Sequence, residues 1–531
     1  MSNTKYFADL IKVCSVLPAL MVMPAMADVE RIVTEVGSGQ VWNNKTVSNF
    51  STDPKNSATW EGGLVKVSGA SSLTINGGKY TNIDSAQELW GVGGVVAQSN
   101  KAGTQVFVND YNGNRAQFLS NKAYAAGGAM WLGRESNIEN ADFIGNTVYG
   151  TVIGDNSDSN TSIDGGGALF FGSTSTSRLT DVWLEGNTST SDGGAIAMRA
   201  PTMGDNSNAK LDIFDTDFVD NSAVMKGGAI YATFYDSVTE RNAVYMQGSD
   251  FVRNTAESGG AIYNDGRLDK GDNKASMKIV DADFEYNSAT VDGGAIYNAG
   301  SMTIIDTDFV GNSVVDGFGG AIKNNGTITV NDTDFYNNVA YSNGAFSTSR
   351  STGDTTIAGG EFVGNHALAD GGALGLYLDA TVSDVDFKNN VAAKAIILDG
   401  KAYDAAADAN GGGALFVGQK AKATLTNVHF LENESGVSGG AIVARHNTSV
   451  DNGYLTIKSS EFVGNKAGKH GGAIESIYDG VVNIADTTFE VKPSLWQRIK
   501  NSKFVRTVRF IMQIRVVLDY PALPEGRDEN Y

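Results

Sequence analysis

The chain has 531 residues, 64 of them Gly and only 7 Pro, which is too much glycine for packed helices and too little proline for a disordered linker. Its formal net charge is −20; residues 1–27 contribute +1 and residues 491–531 contribute +4, so 28–490 carries −25. A body that acidic repels nucleic acid and anionic lipid, which argues against both as partners and against DNA binding.

The N-terminus reads as a signal peptide over 1–27. Lys5 and Lys12 precede an apolar run from Val13 to Ala25, and Ala25-Met26-Ala27 offers a small-residue cleavage site before Asp28. The chain's one cysteine, Cys14, lies in this segment, so the exported body carries none and forms no disulfide. Lys12 and Val13 are poor residues for a lipoprotein cleavage site, which argues against lipidation. No stretch of 28–490 has the apolar length to span a bilayer as a helix.

Residues 28–117 read as an N-terminal cap with degenerate coils, from fragments such as Gly62-Gly63-Leu64-Val65 and Gly93-Gly94-Val95-Val96. Over 118–490 the sequence repeats itself. The clearest units start at Asp215, Asp281 and Asp306, and each joins an FxxN to a GGA. The first member of the pair is Phe118, Phe143, Phe218, Phe251, Phe284, Phe309, Phe335, Phe362, Phe387, Phe430 and Phe462, with Leu184 in the same place in a twelfth unit. Three residues on stand Asn121, Asn146, Asn221, Asn254, Asn287, Asn312, Asn338, Asn365, Asn390, Asn433 and Asn465, with Asn187 following Leu184. Asn343-Gly344-Ala345 is the degenerate GGA. Where insertions are absent, successive Phe lie 25 to 27 residues apart, as from Phe284 to Phe387. These positions form a structural repeat.

Apolar pairs recur seven and five residues before the Phe, among them Met277 and Ile279, Met302 and Ile304, and Leu455 and Ile457. They alternate with polar residues, as strands do. A second short strand ends at the Phe and a third follows GGA, which predicts an all-β right-handed parallel β-helix with three short strands per coil. Stacked at about 4.8 Å, like residues sit on like: the Phe form an internal stack. The Asn, tolerant of left-handed backbone, bond along the axis at a corner. The Gly pair allows a tight corner.

The tail 491–531 is basic and divergent. The unit DTTFEVK begins as an FxxN and breaks at Lys492, and the glycine is abruptly lost. A frameshifted or truncated gene end and a genuine basic amphipathic segment both account for it.

FxxN paired with GGA(I/L/V) resembles the polymorphic outer membrane protein family, best known in chlamydiae, and the passenger regions of related autotransporters; the match covers about residues 118–490. The resemblance implies a passenger of a Gram-negative bacterium, displayed on the outer membrane surface or released, often an adhesin. It implies a host or cell-surface receptor or glycan and the export machinery as partners, and no catalysis, cofactor or metal. The departure is the translocator: a barrel needs many strands of about ten residues, and none is expected in the 41 residues after Glu490. Outer-membrane attachment is then expected only through a missing barrel or a partner, and a periplasmic location if no translocator exists.

Parallel β-helices also carry polysaccharide lyases and glycoside hydrolases, so a secreted carbohydrate-active enzyme is the alternative. Asp217, Asp250, Asp283, Asp308, Asp334 and Asp386 all precede the Phe. A catalytic acid occurs once or twice, whereas these recur coil after coil, as outward ladder residues do. His366, His429, His446 and His470 fall at unlike repeat positions and form no metal-binding motif. The acidic insertion with Asp155, Asp158 and Asp164 matches no calcium-loop spacing. Contacts are expected on insertions near Asn156, Arg267 and Asp404, because loops on a rigid scaffold carry function.

Overall fold

A computed structural model describes residues 34–36, 39–49, 64–85, 91–150, 165–199, 209–235, 241–267, 275–348, 353–445, 453–477, 481–490 and 514–515. The expected signal segment with Cys14, the acidic insertion with Asn156, Asp155, Asp158 and Asp164, His446 and most of the tail lie outside them. Of the two compact units into which the chain divides, the one from Val33 on holds all the described residues.

That unit is a parallel β-helix. Three sheets run along it, here called A, B and C, and sheet A has fifteen strands and sheet C twelve. One turn of the winding shows the plan. Ala275–Glu285 lies in sheet B, Ser288–Asp292 in sheet C and Ile296–Asn298 in sheet A. The next turn repeats it in register, with Met277 on Met302, Ile279 on Ile304 and Phe284 on Phe309. Coils of this kind also precede Phe118: Val65–Val67 and Val96–Gln98 pair in sheet A, Ser72–Asn76 and Gln105–Asn109 in sheet B.

Local backbone chemistry sets each corner. Sheet B bends where an Asp or Asn adopts positive φ, as at Asp281 (φ 54), Asp306 (φ 53) and Asp332 (φ 47), residues whose short polar side chains tolerate that region. The expected first and second strands are therefore one hydrogen-bonded ladder with a bend in it, continuous over Ser301–Val310. The third face is a strand absent from the sequence pattern. Sheet C follows each Asn for as few as two residues, such as Ser222–Ala223, too short for alternation to register. A second correction concerns the Asn itself. The left-handed residue is the one before it, for example Asp220, Arg253, Tyr286 and Glu432, so the Asn keeps ordinary backbone and turns its side chain inward.

There it is fully used. Asn312 Nδ2 donates to the carbonyl of Phe284 in the preceding coil at 2.8 Å and to Oδ1 of Asn338 in the next at 3.0 Å. Its Oδ1 accepts from the backbone N–H and Nδ2 of Asn287, at 2.9 and 3.0 Å. The same pattern links Asn121 to Asn146 and continues to Asn433 and Asn465. A buried amide with every group paired holds a corner that water does not reach. Ile83, one coil before Asn121, takes the column's first place with its backbone N–H alone.

Beside this ladder the aromatic rings stack. Phe218 and Phe251 are 4.6 Å apart and 2° from parallel, and the column runs unbroken through Phe284, Phe309, Phe335, Phe362, Phe387, Phe430, Phe462 and Phe489. Leu184 interrupts it between Phe143 and Phe218. The two glycines of GGA serve different ends. Gly227 has φ 65, whereas a Cβ on Gly228 would lie 2.0 Å from the carbonyl oxygen of Gly260 in the next coil. One is required by conformation, the other by the approach of neighbouring backbones.

Candidate binding surface

The residues named from the sequence as repeat positions lie inside, Asn465 alone being partly exposed. Phe118 to Phe462 are at most 1% exposed, and Asn121, Asn146, Asn221, Asn254, Asn287, Asn312, Asn338, Asn365, Asn390 and Asn433 are fully buried. They build the scaffold and none is presented to a partner. What meets another molecule must come from the outward parity of the sheets and from the corners.

On the outer side of sheet A, the residue after Gly-Gly-Ala-Ile forms a second aromatic file. Tyr231, Tyr263 and Tyr297 occupy one register position in successive coils, with Tyr263 and Tyr297 stacked at 4.6 Å. The Tyr231 hydroxyl donates to Asp265 at 3.0 Å, and Lys226 Nζ sits 4.7 Å over the Tyr263 ring. Burial raises both phenols well above their ordinary range. Asp192 belongs to the same neighbourhood. Burial pushes its carboxyl up to about 6 against the pull of Lys226, and its Oδ1 has no hydrogen-bond partner. Farther along, Lys323 is 91% buried, donating to Ser347 Oγ at 3.2 Å with its Nζ 4.9 Å over the Phe318 ring. Residues 200–208, 236–240 and 268–274, which follow sheet A strands in the chain, lie outside the described residues.

On the outer side of sheet B, the carboxylates before the Phe stand in one file. Asp250 faces Asp283, Asp283 faces Asp308, and Asp308 faces Asp334. The two ends of the file differ. Asp250 and Asp308 are pushed up to about 6, first by partial burial and then by the neighbouring carboxylates. Beyond Asp334 cations are interleaved: Lys388 lies 2.6 Å from Glu361 and 2.8 Å from Asp386, and His429 lies 2.7 Å from Asp386. The Lys388 hydrogen bond holds Glu361 below the usual carboxylate range. Of the other histidines, His366 bonds the carbonyl of Lys394 at 2.8 Å and burial lowers its pKa. Among the described residues, no group of three or more His, Cys, Asp or Glu is placed to hold a metal ion, and no helix is long and apolar enough to cross a membrane.

The insertion just before Asp404 folds as a β-hairpin. Ile396–Leu398 pairs antiparallel with Lys401–Tyr403 around Asp399 (φ 49) and Gly400 (φ 78), the two positive φ values of a tight hairpin turn. Ile397 is 73% exposed, more than any other large apolar residue described. Arg267 ends a sheet A strand whose backbone pairs with Tyr235, and the insertion after it lies outside the described residues. Sequence reasoning missed the tyrosine file, Asp192 and the buried Lys323. The recurrence of Tyr after GGAI at 231, 263 and 297 is a signal for the first; the others have none, since their burial depends on neighbouring coils.

Compared with known protein families, the chain matches the Chlamydia polymorphic membrane protein repeat at residues 215–233 and 281–299. The ladder geometry of those two units continues through unmatched units on both sides, from Phe118–Asn121 to Phe462–Asn465. No curated protein matches the chain.

Proposed function

We propose that this chain, which carries the polymorphic membrane protein repeat, is the exported passenger of a Gram-negative surface protein, a binding rod without catalysis whose contacts come from insertions on a rigid scaffold. One observation supports this above others: the repeated side chains are consumed inside, while the hairpin at 396–403 holds Ile397 in solvent. Insertions on a rigid scaffold are where binding residues concentrate, and Ile397 is the most exposed large apolar residue described. A host or cell-surface receptor or glycan is the partner class, and the outer membrane surface or the medium is the location. The test is adhesion of the purified chain to host cells, compared with Ile397→Asp and with replacement of 396–403 by Gly-Ser. Loss of adhesion with unchanged thermal unfolding supports the hairpin as a contact; undiminished adhesion by both variants removes it.

Asp192 supports a second reading. A buried carboxyl pushed up to about 6, with Oδ1 unpartnered and the carboxylate of Asp265 near enough to add to the shift, shares those two features with the general acid of a sugar hydrolase. Release of reducing sugar from host or microbial glycans, abolished by Asp192→Asn, would establish it; no release by the native chain would dismiss it.

A further inference from the structure

Along each sheet B strand inward residues alternate with outward ones. Before the bend, Leu179, Ile213, Met246 and Ile279 fill one inward place on four successive coils and are fully buried. The outward file beside them is threonine at every coil from Thr303 to Thr456. In the four coils before Thr303 that file holds Arg178, Asp212, Tyr245 and Lys278, with Phe214 and Gln247 in the next outward file. The inward packing is alike on both stretches, so the fold does not require the change.

These side chains hold one another in place. The Arg178 guanidinium lies 4.3 Å over the Phe214 ring, and that half-buried ring meets the half-buried ring of Tyr245 at 5.7 Å and 51°. The Tyr245 hydroxyl donates to Gln247 Oε1 at 2.9 Å, which leaves the Nε2 donors of that amide unused among the described residues. Arg178 Nε donates to Thr180 Oγ1 at 3.3 Å, and among the described residues its two Nη groups have no hydrogen-bond partner. Asp212, the one acid described on these coils before the bend, is held by Lys210 at 2.7 Å, so Arg178 and Lys278 stand as charge in excess. Across the bend the same winding carries the carboxylates Asp250 and Asp283. A cationic and aromatic island with that border attracts one localised negative charge and repels a polyanion. The planar fork of an arginine matches a carboxylate, and aromatic rings offer apolar area to the C–H face of a sugar.

We propose that Arg178, Phe214, Tyr245, Gln247 and Lys278 form a site for a sugar bearing a single carboxylate, a sialic or uronic acid at the end of a glycan. The carboxylate meets the Arg178 fork, the sugar ring lies against Phe214 and Tyr245, and Gln247 and Lys278 donate to its remaining oxygens. This rests on the reading of the chain as a binding rod and adds a contact on the scaffold itself.

The test titrates the full chain with sialyllactose, a glucuronic acid-terminated disaccharide, lactose and heparin, in parallel with adhesion to host cells. At least one acidic sugar is expected to bind about tenfold or more tighter than lactose, and which of the two binds identifies the source. Arg178→Gln, and Arg178→Lys, which keeps the charge and loses the fork, are each expected to weaken that binding about tenfold or more with unchanged thermal unfolding. In the native chain, nitration of Tyr245, followed by peptide mass mapping, is expected to slow under the bound sugar; this readout decides alone if the variants unfold. The proposal is overturned by absence of acidic-sugar binding, equal binding of lactose, tighter binding of heparin, unchanged binding by a folded Arg178→Gln, or protection that misses Tyr245. Adhesion that persists without acidic-sugar binding removes this site and leaves the binding rod, whereas absence of both removes the two together.

Discussion

The side chain of Asn343 fills the space that a Cβ on Gly375 would need: its Oδ1 lies 2.0 Å from that position. Asn343 stands where other units have the first Gly of GGA, with φ 60, and its Nδ2 donates to Ser347 Oγ at 2.9 Å and Tyr377 Oη at 3.3 Å. The departure in one coil is thus matched by a missing side chain in the next. Gly375→Ala is expected to cost about 1–3 kcal/mol, as overpacking does, and much less in an Asn343→Gly background. A double-mutant cycle from denaturant midpoints measures the difference; additive effects would refute the coupling.

The Asn ladder should be intolerant of truncation. Asn312→Ala leaves the Phe284 carbonyl and the backbone N–H of Asn287 without these partners, at an expected cost of about 2–4 kcal/mol for two buried groups. Urea unfolding checks the size. A loss below about 0.5 kcal/mol would mean that water replaces the amide.

Leu184 gives the opposite expectation. It lies in register with Phe143 and Phe218 and is fully buried. Leu184→Phe should join the two parts of the stack and gain about 0.5–1.5 kcal/mol. A raised melting temperature confirms room for the ring; a lowered one shows that the neighbouring coils have closed around the leucine.

The carboxylate file makes stability depend on pH. Folded Asp250 and Asp308 titrate near 6, above the ordinary Asp value near 3.9 of an unfolded chain. The folded state therefore binds more protons between about pH 4 and 6, and stability rises as pH falls through that window. Glu361, held low by Lys388, contributes in the opposite sense, with stability lost only as pH falls through its depressed value. The melting temperature is expected to be higher at pH 5 than at pH 7.5, and Asp250→Asn with Asp308→Asn should reduce the dependence, Asp192 keeping its own share. A flat profile in the native chain would show that solvent screens the file.

Phe284 and Asn287 were legible because both recur at the coil period with fixed spacing, and the core is what such recurrence encodes. Ser288–Asp292 was not, since a strand that short shows no alternation. The left-handed residue escaped too: Arg253, Tyr286 and Glu432 share a conformation but no chemistry, and the winding imposes what their own preferences resist. The hairpin could have been found, because Ile396-Ile397-Leu398 and Lys401-Ala402-Tyr403 flank Asp399-Gly400, a favoured hairpin turn pair. The sheet A tyrosines recur after GGAI in three successive units, at 231, 263 and 297, and their facing outward needed the structure.

Each amide of the Asn column touches the coil before it and the coil after it and nothing farther. Gene length is therefore a free variable. Unequal recombination between two units in frame removes or duplicates a coil, re-forming the same bonds across the splice, and changes how far a hairpin such as 396–403 stands from either end of the winding. A lineage built this way can alter its reach without redesigning a core.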